Sequence, residues 1–230
     1  MNSALSEKFT WYEKGSASAE EFEKVIEQSV LGFIKNPLCR KLDEGRIVMK
    51  DYHRLLFNLF HQVHSSSGTF ALAAANCDPS KSLVRDYLLK HAEEERTHWT
   101  WILNDLKNTG YNGEDPRSMF PIEPVQSYIA FNFFVAHKSP LSRLGIAAML
   151  ENLGGTFSNK YAIKTAEILK LKSEQASFFL GHGDTDVGHS KEIFKVLKEA
   201  GLNSQEWGWL CHSANTAAQI YFRIYEASAK

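Results

Sequence analysis

The chain has 230 residues, enough for one domain with a large core, and 43% of them are hydrophobic. A formal charge of -1 and a neutral isoelectric point give no basic face for nucleic acid or an anionic membrane. Cys39, Cys77 and Cys211 are scattered, which excludes a disulfide frame or a zinc knot and fits the reduced thiols of a cytoplasmic protein.

The opening MNSALSEKFTWYEKG lacks the apolar core of a signal peptide, and no run of about eighteen apolar residues is present to span a membrane. Residues 1–17 are expected to form an N-terminal extension on a single helical domain covering 1–230. Ser18-Ala-Glu-Glu21 reads as a capping box that opens a helix through Ile34. A second helix is predicted from Lys50 into the Ala-rich 71–75 segment. Asp78-Pro79-Ser80 starts a third, which ends near Gly110 with Lys107 and Asn108 in its last turn. Residues 110–124 form a loop. Further helices are predicted at about 122–136, 139–170, 173–200 and 204–227, the last capped by Asn203-Ser-Gln-Glu206. No alternating strand pattern or internal repeat occurs, so the fold class is all-α.

Three of these helices carry polar residues where apolar ones are expected. In the third, at about 100° per residue, His91, Glu94 and Glu95 fall within about 60° of His98, whereas Glu93 lies about 140° away. Glu95 shares the side of Val84, Leu88, Ile102 and Leu106, so Glu95 and His98 interrupt a core-facing stripe. Glu-x-x-His is the unit by which carboxylate-bridged di-iron bundles take ligands from one helix. In the 139–170 helix, Glu151 is flanked on its own face by Leu144, Ala147, Ala148, Gly154 and Gly155. A carboxylate there requires a metal or a buried cation, with Arg143 as the nearest candidate in sequence. In the 173–200 helix, His182, Asp186 and His189 share a face with Phe178, Phe179, Ile193 and Leu197, and Asp184 points elsewhere.

Glu95, His98, Glu151, His182, Asp186 and His189 make three carboxylates and three imidazoles, a donor set that suits two Fe2+ per chain. Zinc fits less well, because no thiolate is present and six ligands exceed one tetrahedral site. Glu151 is the best placed to bridge two ions. The order Glu95-Arg-Thr-His98, then Leu144-Gly-Ile-Ala-Ala-Met-Leu-Glu151, then His182-x3-Asp186-x2-His189 resembles the haem-oxygenase-like di-iron oxidase and oxygenase superfamily over roughly residues 20–200. The resemblance implies a compact seven- to eight-helix haem-oxygenase-like bundle, usually a homodimer. It also implies dioxygen and an external electron donor as partners. Its reactions include decarboxylation of fatty acids, and cleavage, hydroxylation or N-oxygenation of amino acids and amines. Some members place a glutamate seven residues before the histidine of the first motif, where this chain has His91. The carboxylate of that motif therefore stays open between Glu94 and Glu95, with His91 as a ligand or as a partner behind one.

Three other readings compete. A thiaminase-like enzyme on the same fold requires a cysteine nucleophile in the pocket, and residues 122–170 contain none. A haem oxygenase requires an axial histidine on an early helix, for which His53, His61 and His64 are available. A non-catalytic helical binding protein gives no reason for inward-facing ligands. Phe178 and Phe179, with Tyr128, Phe131, Phe133 and Phe134, are ordinary core residues by composition and alternatively candidates for the pocket wall.

Overall fold

The computed structural model describes residues 15–230, except for the side chains of residues 157–159 and 182–187. Nine α-helices occur among the described residues, and no strand. They are α1 (Ala19–Phe33), α2 (Pro37–Asp43), α3 (Met49–Asn76), α4 (Ser82–Glu94), α5 (Trp99–Asn108), α6 (Glu123–Lys138), α7 (Ser142–Leu169), α8 (Ser177–Glu199) and α9 (Ser204–Ser228). No helix among the described residues is long and apolar enough to cross a membrane.

The local signals act as expected at both ends of the chain. Ser18 Oγ accepts from Glu21 N while Glu21 accepts from Ser18 N, which closes the capping box of α1. Asn203 and Glu206 do the same for α9. Residues 15–17 lie against α9, with Ala17 N donating to Ser204 O at 2.8 Å.

Two elements differ from the sequence reading. Asn36 caps and Pro37 begins the short helix α2, which the periodicity did not reveal. The predicted third helix is broken: α4 ends at Glu94, Glu95–Thr97 form a 3-10 turn, and α5 restarts at Trp99. Neither glycine nor proline occurs there, so the break is imposed by packing. The tighter turn advances each residue by about 120° instead of about 100°, which alters the phase of Glu95 and His98 relative to His91.

Helix α7 is the axis of the bundle and packs on α8 along one side and α9 along another. Leu144, Ile146, Ala147, Ala148 and Met149 on α7 are buried, as are Leu88 on α4, Ile102 on α5, and Ile193 and Leu197 on α8. At Gly145 a Cβ would sit 2.6 Å from Leu210 O and 2.3 Å from Ser213 Oγ, so α7 and α9 meet backbone to backbone. Helix α8 is anchored from α5. Buried Asp105 accepts from Ser177 N at 2.9 Å, Ser177 Oγ at 2.6 Å and Phe178 N at 2.9 Å, which satisfies the donors at the α8 N-terminus. At the surface Lys90 donates to both carboxylate oxygens of Glu192 at 2.7 Å and ties α4 to α8.

Candidate metal centre

The break between α4 and α5, the middle of α7 and the second half of α8 converge in the interior. His91 and Glu94 come from the end of α4, Glu95 from the 3-10 turn, His98 from the residue after it, Glu151 from α7 and His189 from α8. His91, Glu95, His98 and Glu151 are buried. His91 Nε2 lies 3.2 Å from Glu151 Oε1 and 3.9 Å from Glu95 Oε1. His98 Nδ1 lies 3.1 Å from Glu95 Oε1. His189 presents Nδ1 at 3.6 Å from Glu151 Oε2 and Nε2 at 3.6 Å from Glu94 Oε2.

The spacing of these atoms fits a cation. One donor atom each from His91, Glu151 and His189 lie within 4.8 Å of one another. Glu151 Oε2, Glu94 Oε2 and His189 Nδ1 are buried with no hydrogen-bond partner among the described residues. A separation of 3.6 Å is long for a hydrogen bond, but it matches two donors on one ion with bonds of about 2.1 Å. Nitrogen and carboxylate oxygen without sulfur are the donors that suit iron or manganese.

The electrostatics agree with a tight acid–imidazole pair. Burial pushes the Glu151 carboxyl up, but the imidazoles of His189 and His91 beside it outweigh that effect and hold its pKa below the ordinary value. His189 is raised by the carboxylate of Glu151 beside it, against the effect of burial. On its other ring nitrogen, His91 Nδ1 lies 3.4 Å from Tyr87 Oη, and the two rings stack at 5.5 Å. Burial and then the surrounding carboxylates raise the Tyr87 pKa, so its proton is retained and it orients His91 from behind. Trp101 stacks on His98 with centroids 4.5 Å apart.

The structure therefore brings together His91, Glu94, Glu95, His98, Glu151 and His189. The side chains of His182 and Asp186 lie outside the described residues. His91, which the sequence left as a ligand or a supporting residue, is the hub of the cluster, with its ring 4.8 Å from that of His189. Arg143 is not the partner of Glu151: its Nε donates to Thr69 Oγ1 at 3.1 Å and its guanidinium lies 3.6 Å over the Phe70 ring.

A cavity of about 150 Å³, room for on the order of ten waters, has His91, Glu95 and Glu151 in its wall. Phe178 and Phe179 line it. The α6 aromatics do not: Phe133 and Phe134 are exposed at 42% and 61%, and Tyr128 packs in the core instead. Cys39 does line the cavity, which the sequence reading missed. Burial, then the Asp43 charge, raises its thiol to about 12, so it is a poor nucleophile. None of His53, His61 and His64 is part of the cavity wall. His53 bonds Thr109 Oγ1 at 2.9 Å, and His61 and His64 pack on Phe60.

Residues 56–219 match the family of iron-containing redox enzymes. The chain belongs to that family. The match takes in every candidate ligand in this member of the iron-containing redox enzymes. No curated protein matches the chain. Among solved structures, a domain of unknown function with a haem-oxygenase-like fold from Shewanella denitrificans is similar at a TM-score of 0.85 and 19% identity, covering 92% of each chain. A TenA homologue from Pseudomonas syringae pv. tomato follows at 0.78 and 12%, covering 93% of each. Haem oxygenase-2 from Synechocystis, in complex with haem and NO, gives 0.72 and 14% over 91% of this chain and 84% of its own. At these identities the likeness establishes the haem-oxygenase-like all-α fold, the architecture expected from the sequence.

Proposed function

We propose that this iron-containing redox enzyme is a non-haem di-iron oxidase or oxygenase that uses dioxygen to oxidise a small molecule held in the cavity. The convergence of His91, Glu151 and His189 within 4.8 Å, two of them in the wall of that cavity, carries this reading. His91, Glu151 and His189 would hold one ion, with Glu94 beside them. Glu95 and His98 would serve a second, together with His182 and Asp186 from the preceding turns of α8. When bound, ferrous iron supplies the redox chemistry that activates dioxygen.

The protein's own contribution is placement and exclusion. Glu151 offers one oxygen towards each of His91 and His189, so all three side chains face a common centre. Tyr87 fixes the ring of His91 so that Nε2 faces the carboxylates. Phe70, Leu150, Phe178 and Phe179 make the chamber apolar next to the donors, which keeps bulk water away from the oxidising site. An external electron donor would supply the reducing equivalents, and the homodimer implied by the resemblance belongs to the same proposal.

Reconstitution with ferrous iron under anaerobic conditions, followed by metal analysis, tests the assignment. About two irons per chain are expected, and His182→Ala or Asp186→Ala should remove at least one, together with oxygen-dependent turnover. Full iron loading and activity in both variants would sink the di-iron reading.

A further inference from the structure

We propose that Arg143 is the anchor for the carboxylate of a small, otherwise apolar molecule bound in the cavity beside the metal donors. This deepens the di-iron reading by naming a class of ligand, and rests on it only for the link between ligand and metal.

Arg143 is 2% exposed and is the largest fully buried side chain among the described residues. Burying a guanidinium is costly unless an anion or a full set of acceptors replaces water. The partners present are all neutral. Nε donates to Thr69 Oγ1, Nη2 lies 3.5 Å from Ser66 Oγ, and the flat face covers Phe70. Nη1 has no partner among the described residues. Thr69, Ser66 and Phe70 hold the fork in one orientation and leave a donor unused, as an arginine poised for an incoming acceptor requires.

Arg143 lines the same cavity as His91, Glu95 and Glu151, and it is the only lysine or arginine among the described lining residues. The rest of the wall is largely apolar, with Leu55, Val63, Leu150 and Phe179 among its residues. Arg143, the carboxylates of Glu95 and Glu151 and one divalent ion on those carboxylates sum to +1, which matches a monoanion and would leave a phosphate dianion under-neutralised. Arg143 and Glu151 are eight residues apart on α7, about 12 Å along its axis. A carboxylate held at one end therefore leaves an apolar body to extend towards the metal donors at the other.

The charge balance adds a linkage. Burial lowers the Arg143 pKa, and Tyr128, Glu95, Glu151 and Tyr87 act against that loss. A divalent ion on Glu95 and Glu151 would take up the negative charge that now supports the guanidinium. The arginine would then hold a carboxylate more tightly, and by reciprocity the carboxylate would favour metal binding.

Calorimetric titration of the metal-free protein with octanoate, 1-octanol and octylamine tests the anchor. Octanoate is expected to bind at least tenfold tighter than 1-octanol and tighter than octylamine. Arg143→Met keeps bulk over Phe70 and should weaken octanoate at least tenfold without changing 1-octanol. Equal binding of octanoate and 1-octanol to the unaltered protein, or unchanged octanoate binding in Arg143→Met, would overturn the proposal. Should the variant fail to fold, the three ligands on the unaltered protein still decide it. Mn2+, which suits the same donors and stays divalent without oxygen, should tighten octanoate further. Discrimination without any manganese response supports the anchor and counts against the metal centre. Manganese uptake without discrimination overturns the anchor and leaves the metal centre standing.

Discussion

Replacing His189 by alanine should remove most of the thermal stabilisation that ferrous iron gives this protein. The three donors of His91, Glu151 and His189 span at most 4.8 Å and need to draw in by well under about 1 Å to reach bonds of about 2.1 Å. The folded chain is therefore nearly preformed for the ion, and the unfolded chain is not. Free metal at a hundredfold excess over Kd then stabilises the native state by about 2.7 kcal/mol. With 230 residues the unfolding entropy near Tm is about 0.5 kcal/mol/K, so Tm should rise by about 5–6 °C. Loss of one donor should weaken binding by more than about a hundredfold, beyond the cost of losing a supporting partner. The residual stabilisation is then about 0.4 kcal/mol, or about 1 °C. The assay is differential scanning calorimetry under anaerobic conditions with and without Fe2+, on the unaltered protein, His189→Ala, Glu151→Gln and Glu93→Gln. Glu93 is exposed and pairs with Arg96, so that control should keep the full shift. Equal shifts in all four proteins, or none in the unaltered one, would refute the reasoning.

Two further outcomes follow from the same geometry. The pKa of His189 is raised in the folded state, so its contribution to the metal-free protein is complete below about 6.5 and is lost as pH climbs through the raised value. That of Glu151 is lowered, so its contribution is present above 4.5 and lost as pH falls through the folded value. The metal-free Tm should thus peak between 4.5 and about 6.5. The increment from Fe2+ should grow with pH across and above that peak, because the ion needs His189 unprotonated. Parallel curves with and without metal would contradict this. Asp105→Ala should cost about 2 kcal/mol or more, by stranding the donors at the start of α8, and should lower the iron-dependent shift as well. An unchanged Tm in that variant would show that the α5–α8 link carries no stability.

Much of this arrangement can be read from the sequence where local chemistry decides it. Ser18 with Glu21 and Asn203 with Glu206 cap their helices within a few residues, so no distant contact is needed to place them. Glu151 stands out because its neighbours on α7 are apolar or small, and His189 because it falls on the stripe of Ile193. The break at Glu95–Thr97 is not legible. Glu94-Glu95-Arg96-Thr97 contains no helix breaker, and an even 100° wheel puts His91 beside His98 instead of against Glu151 and His189. Arg143 misleads in a different way. Sequence proximity offered it to Glu151, whereas its length carries it to Thr69 and Phe70 on α3, seventy-odd residues away. Phe133 and Phe134 read as core or wall material by composition, yet the rotation of α6 turns them outward.

Side chains ordinarily set the spacing between two helices, and they give way when the fit is poor. At Gly145 the spacing is set by main chain on main chain, which does not yield. Glu151 follows six residues later on the same rigid rod, about 9 Å along its axis. A methyl group at position 145 would lift α7 from α9 and carry the carboxylate with it, while metal–oxygen bonds tolerate only about 0.2 Å of error. The depth to which Glu151 reaches is thus decided by a hydrogen atom on the far side of its helix. Anyone transplanting these ligands to another bundle would have to carry that glycine along with them.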